Sequence, residues 1–486
     1  MKLLRIHPQD NVAVALAPLS PGEEATAGEM TVRIREEIGA GHKVALIELS
    51  AGQDVMKYGA PIGHATAPIP AGGWVHTPNL ATNLGDLLEY TYTPTTTRPL
   101  PAPCDRTFQG YLRADGSVGI RNEIWIIPTV GCVNRVAERL AQAAGDTVFA
   151  FPHPYGCSQL GGDHLATQRI LAGLVHHPNA AGVLVVGLGC ENNHLAEFNK
   201  VLGPTDPARV KFLNCQDVED EYEEGMRLLE ELSAYAATFT RQPLPVSRLI
   251  VGLKCGGSDA FSGITANPLA GTFSDLLAAC GGATVLTETP EMFGAEHLLM
   301  NRCADRAAFE KTVAMINDFK AYFLRHGQTV YENPSPGNKA GGISTLEEKS
   351  LGCTQKAGSS VVTDVLAYGD RVTGAGVNLL AGPGNDIVAQ TVLAAAGAHL
   401  ILFTTGRGTP LGAPVPTVKI ATNSTLAARK PHWIDVNAGV LLDGTSMDAA
   451  ASQLFDTVLT VASGQPVKNE LNGFREIAIF KDGVTL

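Results

Sequence analysis

From Phe108 to the C-terminus, short valine- and isoleucine-rich runs alternate with stretches whose apolar residues recur at helical spacing. This alternation limits the fold more than any other feature. Residues 123–129, 147–151, 182–188 and 210–214 read as strands, with helices expected over 134–144, 163–175, 193–202 and 217–238. After a break at 240–247 the rhythm resumes, with strands over 249–253, 283–287, 360–366, 377–380 and 399–404 and helices over 304–325, 386–396 and 447–463. Continuous apolar strands joined through helices point to parallel sheets covered on both faces.

The first 92 residues differ. Their apolar pieces are short, at 3–6, 12–16, 44–47 and 61–69, and turn residues such as Pro21-Gly22 and Gly72-Gly73 separate them. A compact β domain is expected there, with a helical turn only at 30–38 or 83–89. Residues 93–107 are rich in proline and threonine and read as a stiff, solvated linker. The expected division is therefore 1–92, linker 93–107, a first α/β domain at 108–243 and a second at 244–486.

At 486 residues the chain is too long for one core. Its net charge of −12 argues against nucleic acid or a membrane surface as a partner, since both attract basic patches. No apolar run approaches a membrane span. The N-terminus, interrupted by His7, Gln9 and Asp10, does not read as a signal peptide. Nine scattered cysteines suggest reduced thiols in a cytoplasmic setting.

One stretch carries an unusual density of chemistry. The apolar run 249–253 breaks into Lys254, Cys255, Gly256, Gly257, Ser258, Asp259, Ser262, Thr265 and Asn267, and a helix is expected over 269–281. A polar, glycine-containing loop between strand and helix is where open α/β sheets bind ligands. Five cysteines share a strand-end setting: Cys132, Cys157, Cys190, Cys255 and Cys353. Carboxyl ends of parallel strands lie on one edge, so these thiols are candidates to converge. No spacing is CxxC, which disfavours a zinc ribbon or a thiol-redox motif and leaves iron or an iron–sulfur cluster.

Three further loops stand out. Residues 332–343 hold Lys339 among prolines and glycines, without the spacing of a phosphate-cradling P-loop. Gly187-Leu-Gly189 lacks the third glycine of a dinucleotide fingerprint, so no NAD is expected. Arg407 lies between Gly406 and Gly408 after the 399–404 strand, leaving its guanidinium free for a carboxylate.

These loops resemble the altronate/galactarate dehydratase family. The strings that carry the likeness include Gly110-Tyr-Leu-Arg-Ala-Asp-Gly, Tyr155-Gly-Cys-Ser-Gln-Leu, Gly187-Leu-Gly-Cys-Glu-Asn-Asn, Asn333-Pro-Ser-Pro-Gly-Asn-Lys and Thr405-Gly-Arg-Gly-Thr-Pro. In the first domain, Ile6-His-Pro-Gln-Asp-Asn-Val and Lys57-Tyr-Gly-Ala-Pro-Ile-Gly resemble the family's SAF-like module. The resemblance spans the chain and leans to the altronate branch. It implies an α/β protein with a small N-terminal SAF-like β domain followed by two α/β domains with mainly parallel sheets. It also implies a cytoplasmic hydro-lyase converting D-altronate to 2-dehydro-3-deoxy-D-gluconate. Family members depend on Fe2+, sometimes replaced by Mn2+, and some act on galactarate or eliminate sulfite from 3-sulfolactate.

Such a reaction removes the proton α to a carboxylate and expels the C3 hydroxyl, so it needs cations, a base and an acid. Arg407 and Lys339 are the expected anion clamp. Asp259, Lys57 and Lys339 are candidates for proton transfer, while Ser258, Thr265, Asn267 and Lys254 are candidates for substrate contact. Two metal sets compete: His7 with His42, requiring the first domain to close over the loops, and Cys157 with Cys190 and Cys255. Mononuclear iron is preferred to an iron–sulfur cluster. The expected partner is a small sugar acid, and a homodimer is compatible with the sequence. A sugar-acid binder without turnover is the rival class.

Overall fold

A computed structural model of the chain describes residues 2–85, 87–95, 101–102 and 104–486. The apolar runs form two all-parallel sheets. The first holds Val148–Ala150, Glu123–Pro128, Ala180–Gly187 and Val210–Asn214 in that order. The second holds Val362–Leu366, Gly376–Leu380, Ala283–Leu286, Ile250–Cys255, Leu400–Thr405, Thr417–Ala421 and Val436–Asn437. Glu123–Pro128 and Ala180–Gly187 are buried along their whole length, which is why they read as unbroken apolar runs. Between the sheets, helix Gly161–Val175 packs on helix Asp386–Ala395. One core cluster joins Trp125 and Val183 of the first sheet to Val285 and Phe403 of the second.

The N-terminal region forms small antiparallel sheets. Leu3–Leu4, Val12–Ala15, Lys43–Ala45 and Trp74–Val75 make one, and Asp54–Lys57, Ala60–Ala65 and Leu80–Ala81 another. Met30–Arg33, where a helical turn was an alternative, is a strand paired with Glu24–Ala27. Gly28, at a φ of 63°, opens the two-residue turn Gly28-Glu29 that joins them. At 83–89 there is no helix among the described residues, and residue 86 lies outside them.

Of the proposed linker, residues 96–100 and 103 lie outside the described residues. Cys104 is bridged to Cys280 with their Cα atoms 5.2 Å apart, a separation suited to a disulfide. The expectation of thiols reduced throughout fails at this pair. The expected break at 240–247 contains the strand Gln242–Pro245, antiparallel to Thr107–Leu112. It is an edge strand, the sheet position that tolerates Pro243 and Pro245. No helix among the described residues is long and apolar enough to cross a membrane.

The β domain is seated on the second α/β domain. Val12, Ala45, Val55 and Ile62 share a core cluster with Ala295 and Leu351, the latter on helix Leu346–Cys353. That helix links the N-terminal domain to the site described next.

Candidate active site

Strand Ile250–Cys255 lies inside the seven-stranded sheet, flanked by Ala283–Leu286 and Leu400–Thr405. Its carboxyl end opens on a cleft of about 710 Å³ lined by Cys255, Gly256, Gly257, Glu291, Lys339 and Asp386, among others. A side chain at Gly256 is sterically excluded, because its Cβ would stand 2.7 Å from both Asp386 carboxylate oxygens. The glycine therefore lets the acidic start of helix Asp386–Ala395 close on the strand end.

Beneath the cleft is a polar network. Lys254 Nζ, fully buried, donates to Glu288 Oε1 at 2.7 Å, to Asp386 Oδ1 at 2.6 Å and to the Cys255 carbonyl at 2.9 Å. Glu288 has a left-handed φ of 70° that turns its other oxygen to within 3.0 Å of the Cys255 N–H, which donates to it. Lys356 Nζ lies 2.8 Å from Cys255 Sγ, and Lys349 Nζ lies 2.7 Å from Glu291 Oε1. Burial pushes the Glu291 carboxyl up, but the Lys349 and Lys356 ammonium groups outweigh it and hold it at about 2. Burial and the neighbouring Glu291 raise Glu288. The hydrogen bond with Cys255, together with burial, pushes the Cys353 thiol well up.

Cys255 Sγ, Cys353 Sγ and a Glu291 oxygen lie within 4.8 Å of one another. The thiols are 3.4 Å apart, and Glu291 Oε2 is 3.0 Å from Cys255 Sγ and 3.3 Å from Cys353 Sγ. Two soft sulfur donors and one carboxylate suit a thiophilic divalent ion, zinc or iron(II) among them. Charge balance agrees. The ammonium groups of Lys254, Lys349 and Lys356 already offset the carboxylates of Glu288, Glu291 and Asp386, so a divalent ion can enter in exchange for two thiol protons.

Family comparison decides the kinship. The model for the altronate/galactarate dehydratase SAF domain matches residues 1–83, that for the D-galactarate dehydratase/altronate hydrolase second domain 110–237, and that for the D-galactarate/altronate dehydratase C-terminal domain 246–485. The chain belongs to the altronate/galactarate dehydratase family. It is 56% identical to the altronate dehydratase of Escherichia coli K12, with 100% of each chain covered. It is 53% identical to that of Bacillus subtilis 168, over 99% of each. The galactarate dehydratase (L-threo-forming) of Escherichia coli K12 is 34% identical, over 95% of this chain and 93% of its own.

The residues singled out in this dehydratase sequence fall into three groups. Lys254, Cys255 and Lys339 line or underlie the cleft. Arg407 is exposed beside it: its Cβ would touch a Cβ placed on Gly257 at 3.4 Å, its N–H donates to the Gly257 carbonyl, and its guanidinium has no ion-pair partner among the described residues. Ser258 borders a small internal cavity of about 10 Å³, room for one water, shared with Lys57, Asp259, Asn267 and Glu348.

A second group is committed to structure. The Asp259 carboxylate accepts from the N–H groups of Phe261 and Ser262 and from the side chains of Ser262, Thr422 and Asn423. It braces its own loop, which corrects its reading as a base. Thr265 Oγ1 donates to the Phe261 and Thr422 carbonyls, and Asn267 spans Gly352 O and Thr404 Oγ1, so neither is free for a sugar hydroxyl. Lys57 Nζ is buried 2.7 Å from Glu348 Oε1, while Lys43 Nζ holds Glu348 Oε2 at 2.8 Å. Lys57 thus clamps the first domain to helix Leu346–Cys353 and is not presented to the cleft.

The third group comprises metal candidates that do not assemble as expected. His7 is exposed, with Nδ1 accepting from the Gln9 N–H. His42 Nδ1 accepts from Trp74 Nε1 at 3.1 Å, and its ring packs edge-on to His76. Neither joins a three-ligand group among the described residues. Cys157 and Cys190 are exposed on loops of the four-stranded sheet, whereas Cys255 is buried at a strand end of the other sheet, beside Cys353 on a helix. Sequence reasoning missed Glu288, Glu291, Lys349, Lys356 and Asp386. Their signal was charge just after strand 283–287 and charge within the short run 346–356, where an ordinary surface helix is the simpler reading. Cys353, grouped with strand ends, instead closes helix Leu346–Cys353.

Proposed function

We propose that this chain removes water from D-altronate to give 2-dehydro-3-deoxy-D-gluconate. One observation carries the reaction class: a sugar-sized cleft at a strand edge brings Cys255 and Glu291 of the thiol–carboxylate donor set together with a partly open carboxylate, Asp386, and with Lys339, which makes no ion pair among the described residues. The full-length kinship with two altronate dehydratases supports the choice of substrate.

Lys339 and Arg407 hold the substrate carboxylate, and the fork of Arg407 sets its plane. Asp386, whose side chain keeps 37% of its exposure, takes the proton from C2, and the Lys254 ammonium orients it. Lys339 lies near enough to the cleft to return a proton to the departing C3 hydroxyl. Cys255, Cys353 and Glu291 would hold iron(II), with manganese as the substitute, and the ion would supply Lewis acidity at the substrate's carboxylate end. A cytoplasmic setting would keep Cys255 and Cys353 reduced, although Cys104 and Cys280 are bridged.

The test incubates reduced, ferrous-loaded protein with D-altronate, galactarate or 3-sulfolactate and assays 2-keto-3-deoxy acid and sulfite. Product from D-altronate in clear excess supports the reading. Preference for either other acid reassigns the substrate, and binding without any product leaves a sugar-acid binder.

A further inference from the structure

Every strand of the four-stranded parallel sheet is followed by a cysteine: Cys132 after Glu123–Pro128, Cys157 after Val148–Ala150, Cys190 after Ala180–Gly187 and Cys215 after Val210–Asn214. The proposed reaction uses none of them. Cys215 packs against an apolar core, and burial raises its thiol to about 11. The other three are free and exposed.

Their loops are laced together. The Gly131 N–H donates to Tyr155 O at 2.9 Å, and the Asn193 N–H to Gly156 O at 3.0 Å. Ser158 N–H donates to Asn192 Oδ1 at 2.8 Å, and Asn193 Nδ2 to Thr129 O at 3.0 Å. The Glu191 carboxylate closes the third loop by accepting from the Leu188 and Gly189 N–H groups and from Thr129 Oγ1. A glycine precedes each exposed cysteine where the loops touch. A Cβ at Gly156 would stand 1.9 Å from Thr129 O, at Gly189 2.6 Å from Gln216 Oε1, and at Gly131 3.0 Å from His153 O. The three thiols are thus presented from one rigid, interlocked edge.

A second observation points to a ligand. Gln159 Nε2, His164 Nε2 and Asn193 Oδ1, on the segments after Cys157 and Cys190, are buried without hydrogen-bond partners, as is Asn214 Oδ1 next to Cys215. Gln159 and Asn193 are only 3% and 0% exposed. Leaving such atoms unpaired is costly, so water or a ligand is expected to meet them here.

We propose that Cys132, Cys157 and Cys190 hold an iron–sulfur cluster of the [4Fe–4S] type. Among the described residues they do not form a group tight enough for one ion, a condition met only by Cys255, Glu291 and Cys353. A sulfide-bridged cluster spans a wider gap and takes thiolates from separate loops irrespective of spacing. Three thiolates leave one iron without a protein ligand, open to a carboxylate or hydroxyl oxygen. Loading is ligand exchange: a preformed cluster with two ferric and two ferrous ions gives up three small-molecule thiolates, which take the protons of the three cysteines.

The test mixes the full-length protein anaerobically with a thiolate-capped [4Fe–4S] donor, removes excess donor, and measures iron, acid-labile sulfide and brown absorption per chain. Four irons and four sulfides are expected on the parent and on Cys215→Ser and Cys255→Ser. Cys132→Ser, Cys157→Ser and Cys190→Ser should each lower retention by about tenfold or more. Equal retention by these three variants, or none by the parent, overturns the proposal. Thermal melts of each variant separate misfolding from ligand loss. Because dehydration of D-altronate is assayed with ferrous ion alone, a negative result here leaves the cleft reading to its own test.

Discussion

Lys356 sets its ammonium nitrogen 2.8 Å from Cys255 Sγ, and both side chains are almost wholly buried. The contact sets a positive charge against the sulfur, which would carry negative charge when bound to metal. Replacing Lys356 by Met removes that support while keeping the volume. Ferrous affinity at neutral pH should fall by about 10- to 100-fold, the usual loss when a partner of a metal ligand is removed. Direct titration with ferrous or cobaltous ion reads it, and an unchanged affinity would remove Cys255 from the metal set.

The rim cations act at a different stage. Arg407 is exposed and makes no ion pair among the described residues, so substitution should spare the fold. Arg407→Lys keeps the charge but loses the fork, and KM for D-altronate should rise about tenfold with kcat changed less. A KM equal to that of the parent excludes Arg407 from substrate binding.

Asp386 is assigned the proton transfer. Asp386→Asn should lower kcat by about 10²- to 10⁴-fold with a small change in KM. Lys254 keeps its partner Glu288 in that variant, so folding should survive, as thermal unfolding would verify. Loss of exchange of the C2 hydrogen with solvent deuterium would locate the defect in proton abstraction.

Glu348 holds two buried lysines across the interface with the first domain. Burial pushes its carboxyl up from about 4.5, but Lys43 and Lys57 outweigh it and hold it at about 2. Its folded value is therefore depressed, so its stabilisation is present above about 4.5 and fades as pH falls toward 2. Glu348→Gln leaves both ammonium groups unpaired and should cost ~3–5 kcal/mol near neutrality. Denaturant unfolding should show that difference shrinking below pH 4.5, the ordinary value of the carboxyl. Lys43 behaves oppositely: burial lowers it to about 8, so Lys43→Met should be far less damaging than Glu348→Gln.

The parallel sheets were legible because strands covered on both faces leave unbroken apolar runs, as in Ala180–Gly187. Thr417–Ala421 escaped notice because Lys419, itself buried, interrupts the apolar pattern. The cleft was legible at Lys254 and Cys255, where a strand runs into glycines. Its opposite wall was not. Glu347, Glu348 and Lys349 are all buried on one short helix, and nothing local distinguishes them from solvated charges, because their partners lie on Thr82, Lys43 and Glu291. Long-range pairing of this kind has no period to read.

Asp259 marks the reverse error, a carboxylate in a glycine-rich loop that looks catalytic and serves as a brace. Its oxygens accept from Phe261, Ser262, Thr422 and Asn423, and a Cβ on Gly406 would stand 2.2 Å from its Cγ. An amide nitrogen in place of one oxygen would face donors, so Asp259→Asn should destabilise the fold by about 1–3 kcal/mol. Folded Asp259→Asn protein should nevertheless retain turnover within about threefold of the parent, whereas loss of a base removes orders of magnitude. Measuring kcat per folded molecule alongside the unfolding midpoint separates the two. A collapse of kcat at parental stability would return Asp259 to the role of base and displace Asp386 from it.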